Sequence, residues 1–161
     1  MTSDTNNDTP GLIMPPPVFL LIALVLALVL EWFVGFALLP APTIAAWWSW
    51  TGFLILGVGG MFALYGSREF NKVGTNINPF QPALKLVTTG VYGFTRNPMY
   101  LGMVLFMLGF SVMLSLEWGI LLTPILWLAF DQLVVAREEA YLSAKFGEPY
   151  REYLTQTRRW I

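Results

Sequence analysis

Val87-Thr-Thr-Gly-Val-Tyr-Gly-Phe-Thr-Arg-Asn-Pro-Met-Tyr-Leu-Gly102 begins polar and runs straight into a long apolar helix. Asn97 is a good N-cap residue, and Pro98 suits the first helical position because its missing N–H would be unsatisfied there anyway. The free N–H groups of such a helix start carry the positive end of its dipole, and Arg96 stands beside them. The segment therefore predicts a site for a carboxylate or phosphate at a membrane surface.

Around this segment the chain is strongly apolar. Of its 161 residues 56% are hydrophobic and 12% charged, where soluble domains carry roughly a quarter charged residues. Four apolar runs approach the ~20 residues that cross a bilayer: Val18–Leu39, Ile44–Tyr65, Pro98–Leu116 and Trp118–Ala136. The expected fold is all-α, an integral-membrane bundle of four transmembrane helices with a cytoplasmic loop and a C-terminal helical extension. No length is left for a separate soluble catalytic domain.

The absence of Cys excludes disulfides, thiolate nucleophiles and iron–sulfur clusters. The absence of His removes the commonest metal ligand and general base. No metal site is expected, and chemistry must come from carboxylates, Arg, Lys, Tyr or a cofactor. A net charge of -1 says little about partners. Nothing in the pattern points to nucleic acid.

Met1–Pro17 holds Asp4 and Asp8 but no Lys or Arg, so it lacks the basic start of a secretory signal. It is expected to be a short disordered cytoplasmic tail before a single domain over residues 18–161. Pro40-Ala-Pro-Thr43 makes a tight turn, and Trp47, Trp48 and Trp50 form an interfacial belt. Gly52, Gly57, Gly59 and Gly60 permit close helix packing or a homodimer. Gly66–Asn97 reads as a polar connection of 32 residues, long enough to suggest function. Pro124 is expected to kink the fourth span, and Arg137–Ile161 reads as a mostly helical extension with Gly147 as a stop. All nine Lys and Arg lie in the 66–97 connection or after residue 136. By the positive-inside rule both termini and the long loop face the cytoplasm, as expected for a bacterial inner membrane.

Arg137-Glu138-Glu139 follows the fourth span, on the side where the long connection also emerges. Glu138, Glu139 and Arg96 can therefore converge and bind a ligand with separated charges. Gly90, Tyr92 and Gly93 add turn flexibility and a ring for stacking. Asp131 inside the last span needs a partner or a polar cavity. Glu31 reads as a snorkelling or packing residue away from the other charges. Tyr150 and Tyr153 fit a short amphipathic helix that closes the base of the bundle.

Leu86-Val-Thr-Thr-Gly-Val-Tyr92, Arg96-Asn-Pro-Met-Tyr-Leu-Gly102, and Glu138-Glu139 followed by Phe146-Gly-Glu-Pro-Tyr-Arg-Glu-Tyr153 resemble the isoprenylcysteine carboxyl methyltransferase family. The related phospholipid N-methyltransferases share much of the pattern. The resemblance runs from about Thr75 to Arg159, roughly half the chain. It implies an integral-membrane methyltransferase that uses S-adenosylmethionine without a Rossmann domain. Carried over by position, Leu86, Val87, Tyr92, Arg96, Asn97, Pro98, Met99 and Tyr100 would line the cofactor site, with Glu138 or Glu139 completing it. The implied catalytic set is Glu138, Glu139 and Arg137, acting on a lipidic or small hydrophobic acceptor. Two departures stand out. Asn97 occupies a position where the family more often has His, and the Arg that the resemblance implies one turn before the acidic pair is missing from Asp131-Gln-Leu-Val-Val-Ala136, with Arg137 the only nearby cation, which weighs against prenylcysteine as acceptor.

The competing reading is a non-enzymatic membrane subunit whose basic loop binds a partner or anionic lipid. A transporter is disfavoured by the apolar spans and by the lack of an internal repeat.

Overall fold

The computed structural model describes residues 8–35, 39–43 and 45–161. Within them lie α1 (Pro16–Val34), α2 (Trp47–Val73), a 3-10 turn (Gly90–Gly93), α3 (Pro98–Met113), α4 (Glu117–Ala129), a π-helical segment (Phe130–Val135), α5 (Ala136–Phe146) and α6 (Glu148–Gln156). No strand occurs among the described residues. Pro16 and Pro98 open α1 and α3, where a missing N–H costs nothing.

Among the described residues three stretches are long and apolar enough to cross a membrane: Pro16–Val34, Trp47–Val73 and the continuous Glu117–Phe146. The helix expected over Pro98–Leu116 is shorter. α3 has 16 residues, about 24 Å at 1.5 Å per residue, because the chain turns at Leu114–Leu116. Outward-facing Leu21, Val25, Trp32, Phe33, Trp47 and Leu54 are all more than half exposed, the surface expected of a protein whose solvent there is lipid.

Other boundaries also move. Gly66 does not end the second helix. α2 continues to Val73 and stops at Gly74, which takes the left-handed conformation (φ 70°, ψ 49°) and donates its N–H to the carbonyls of Phe70 and Asn71. The polar connection therefore starts at residue 74. Pro124 lies inside α4, and the departure from α geometry comes later, at Phe130–Val135.

α2 and α3 make the closest helix pair, through glycines. A Cβ built on Gly59 would sit 2.7 Å from the Gly102 carbonyl oxygen, and one on Gly52 2.6 Å from that of Gly109. Gly57 and Gly60 take no part, since a Cβ there meets nothing within 4 Å. α1 packs on α4 around Ala27, Met107, Leu126 and Phe130.

Glu31 is not away from other charges. Its carboxyl lies close to that of Glu117 and accepts from the Trp118 N–H at 3.3 Å. The tail expected to be disordered is docked from Asp8 onward. Asp8 pairs with Lys145 at 2.6 Å, and Leu12 is buried. Residues 1–7 lie outside the described residues.

Candidate functional site

The N-terminal tail, the connection before α3, and α5–α6 meet at one end of the bundle around a cleft of about 100 Å³, open to solvent at its mouth. Leu86, Val87, Tyr92, Arg96, Asn97, Met99, Tyr100, Glu138 and Glu139 all line it. Two residues expected there do not. Pro98 is fully buried against Gly66 of α2, because it occupies the helix–helix contact. Arg137 donates to the Gly11 carbonyl at 2.8 Å, since the docked tail offers an acceptor on that side of α5.

The connection that forms one wall is held by its own polar groups. Thr75 Oγ1 accepts from the N–H groups of Leu84 and Lys85, and Asn76 donates to the Pro82 carbonyl. Ala83 N–H donates to the Tyr141 hydroxyl at 3.0 Å, fastening this wall to α5. The opposite wall is aromatic. Tyr150 and Tyr153 of α6 are buried, and the Tyr153 hydroxyl donates to the Tyr92 carbonyl at 2.6 Å. Tyr92 in turn packs on Phe70, ring centres 5.4 Å apart. Burial pushes the Tyr92, Tyr150 and Tyr153 phenols up from their usual value, with the Glu138 carboxylate adding at Tyr92 and that of Glu139 at Tyr150. These rings stay neutral near pH 7 and serve as faces and donors.

The paired acids have separate surroundings. Glu138 accepts from the Tyr100 hydroxyl at 2.6 Å and has no ion-pair partner among the described residues. Tyr100 is held in turn by stacking on the fully buried Phe130, centres 5.5 Å apart. Glu139 lies between two guanidinium groups, Arg96 at 2.9 Å and Arg159. The cap expected at Asn97 is different in form: its side chain makes no cap hydrogen bond but donates from Nδ2 to the Arg159 carbonyl at 3.0 Å. Arg96 is likewise engaged. Besides Glu139, it donates from Nη1 to the carbonyls of Leu154 and Thr157. The expected Arg96 anion site is thus occupied by the chain's own C-terminal residues.

Asp131 finds the partner its burial demands. Arg159 Nη1 lies 3.1 Å from Oδ1, and Trp160 Nε1 donates at 2.8 Å. Arg159, Tyr150, Phe70 and Tyr141 were not singled out from the sequence as site residues. Asp131 held the clue to Arg159, since a carboxylate inside a span requires a cation and the Arg158-Arg159 pair was otherwise unassigned. Of the cations expected in the basic loop, Arg68 and Lys72 lie on α2, where Lys72 pairs with Glu69 at 2.6 Å and Arg68 lies over the Tyr65 ring, Arg96 is taken by Glu139, and Lys85 is exposed.

An all-helical membrane protein with a polar and aromatic cleft at one end of its bundle defines the class. The phospholipid methyltransferase family model matches residues 47–149, and the chain belongs to that family. It is 42% identical over 66 residues to an uncharacterized protein of Haemophilus influenzae, covering 39% of this chain and 100% of that one. It is 38% identical over 69 residues to the protein-S-isoprenylcysteine O-methyltransferase of Schizosaccharomyces pombe, 42% of this chain and 29% of the other. A probable protein-S-isoprenylcysteine O-methyltransferase of Oryza sativa subsp. indica is 29% identical over 119 residues, 70% of this chain and 61% of the other. The chain thus spans less than two thirds of the length of either named methyltransferase. No solved structure matches it. These similarities support a membrane methyltransferase.

Proposed function

We propose that the protein is an S-adenosylmethionine-dependent methyltransferase that acts on a lipidic or small hydrophobic acceptor at one end of a membrane-embedded bundle. The observation that carries this reading is Glu138, a carboxylate without a cation, set in a cleft walled by Tyr92, Tyr150, Tyr153 and Phe70. Such a site suits a cationic, partly flat ligand, because ring faces and an uncompensated carboxylate both favour positive charge. Leu86, Val87, Met99 and Leu142 supply apolar walls, and Asn76 and Asn78 polar groups at the rim. The residues present therefore fit the cofactor, which when bound supplies a methyl group already activated on a sulfonium.

Glu138 is the group suited to the cofactor's cationic part, and the Tyr100 hydroxyl fixes its orientation. The chain's remaining contribution is alignment and exclusion of water, which can supply a large part of a rate enhancement. Asn97 cannot serve as a base. A carboxylate acceptor is ionised at neutral pH and needs none. For an amine or hydroxyl acceptor a carboxylate of the site, Glu138, Glu139 or Asp131, would have to take the proton. Glu139, paired twice, and Arg137, turned to the tail, are assigned supporting rather than catalytic parts. We place both termini and the cleft on the cytoplasmic side, with residues 18–161 as one domain and α3 as a fourth, short membrane segment.

The test is calorimetric binding of S-adenosylmethionine to the detergent-solubilised protein and its Glu138→Gln variant. Saturable binding weakened about tenfold or more in the variant, the scale of a lost charged contact, supports the reading. A folded wild type that does not bind would leave the non-enzymatic subunit in its place.

A further inference from the structure

The last residues of the chain run back across the bundle as a strap. Thr95 Oγ1 and Asn97 Nδ2 both donate to the Arg159 carbonyl, and the Arg96 N–H donates to that of Arg158. Trp160 packs against Trp127 of α4 while its Nε1 donates to Asp131. These contacts fix the backbone on either side of Arg159, so its guanidinium is presented in one place.

That guanidinium uses its whole fork. Nη1 contacts both oxygens of Asp131, at 3.1 and 3.2 Å, while Nε and Nη2 grip the two oxygens of Glu139. Asp131 lies in the π-helical segment and Glu139 one helix later, yet both face the same cation. With Arg96 added, two guanidinium groups meet two carboxylates, and the cluster is neutral. Glu138, the immediate neighbour of Glu139, is left outside it.

We infer that Arg159 is a positioning residue that divides the labour of the acidic pair: it clamps Glu139 and thereby leaves Glu138 as the carboxylate offered to the cleft. The inference rests on the cofactor reading above. Without Arg159, Asp131 loses its cation and Glu139 keeps only Arg96. Glu139 then becomes a loosely held second negative charge beside Glu138, and Arg96 is drawn from its place on the strap.

The experiment compares calorimetric S-adenosylmethionine affinity and thermal unfolding for the wild type, Arg159→Met, and Arg159→Met combined with Glu139→Gln. Arg151→Gln, at an exposed surface pair with Glu148, is the control. Arg159→Met is expected to bind about tenfold or more weakly, the scale of a lost bidentate ion pair. The double variant removes the stray carboxylate and is expected to recover to within about threefold of wild type, as coupled neighbours do in a mutant cycle. A merely structural role predicts the reverse, because the double variant has lost more bonds. Arg159→Met with wild-type affinity, or a double variant no better than the single one, overturns the inference while the cofactor reading stands. A wild type that does not bind overturns both. If Arg159→Met does not fold, Arg159→Gln, which keeps an amide donor, replaces it in the same comparison.

Discussion

Glycine-to-alanine substitutions along α2 and α3 should change stability in opposite directions according to position. An alanine Cβ at Gly102 would lie 2.6 Å from the Gly59 carbonyl oxygen and 3.0 Å from the Ala63 nitrogen, both backbone atoms that cannot rotate aside. Ordinary contact begins near 3.4 Å, so the helices must part by about 0.8 Å, a gap at which packed atoms forfeit a quarter to a half of their attraction. Overpacking of this kind costs about 1–3 kcal/mol. At Gly57 the same methyl meets nothing within 4 Å, and removing an interior helical glycine should stabilise by about 0.5–1 kcal/mol. Gly102→Ala should therefore unfold several degrees lower than wild type and Gly57→Ala slightly higher, at roughly 2–4 °C per kcal/mol for a chain of this size. Far-UV circular dichroism of the detergent-solubilised variants would read the shifts. Equal shifts of the same sign would refute the reasoning, since only backbone contact distinguishes the sites. Parting α2 from α3 also displaces Tyr100 from Glu138, so Gly102→Ala should lose ligand affinity as well as stability.

Three further outcomes follow from the structure. Tyr100→Phe removes the 2.6 Å donor to Glu138 but leaves the stack on Phe130; S-adenosylmethionine affinity should fall by about threefold to tenfold, the scale of one hydrogen bond, and unchanged affinity would show that Glu138 needs no orienting partner. Tyr92, Tyr150 and Tyr153 have phenols held above their usual value by burial, so their contribution to stability is complete below about pH 10 and is lost as pH rises beyond it. In a spectrophotometric titration part of the tyrosine absorbance change should then wait for alkaline unfolding, and full ionisation near pH 10 in the folded protein would contradict their burial. Because the sequence has no Cys, single Asn78→Cys and Ala41→Cys variants can be labelled cleanly in oriented membranes; Asn78→Cys should react from the cytoplasmic side and Ala41→Cys from the opposite side, and labelling of both from one side would reject the proposed orientation.

The helical, membrane-embedded character of the protein could be read from composition, because the cost of exposing backbone polar groups to lipid leaves an apolar run little choice but to form a helix. The start of α3 was equally legible, since Pro98 constrains the chain locally. Other features depended on what lies opposite. Gly52 and Gly59 cannot be told from Gly57 and Gly60 by residue type, and only the position of α3 decides which pair is in contact. The apolar pattern of α2 ends before Gly66, yet the helix runs on to Val73, with Gly66 packed against Pro98 and Met99.

At the cleft, the chain's local motifs by themselves determined which residue types were available: an acidic pair, a proline-started helix, a run of tyrosines. What each does was decided by tertiary structure. Glu138 and Glu139 are adjacent and chemically identical, yet one meets a tyrosine hydroxyl and the other two guanidinium groups. Arg96 and Asn97, suited by sequence to an open anion site, are taken by carbonyls and a carboxylate from residues 139–159. Charge and hydrogen bonding act over a few ångströms of space rather than along the chain. A charged side chain's role is therefore set by the partner that folding brings to it, here from 43 residues away for Arg96 and Glu139 and from 137 for Lys145 and Asp8.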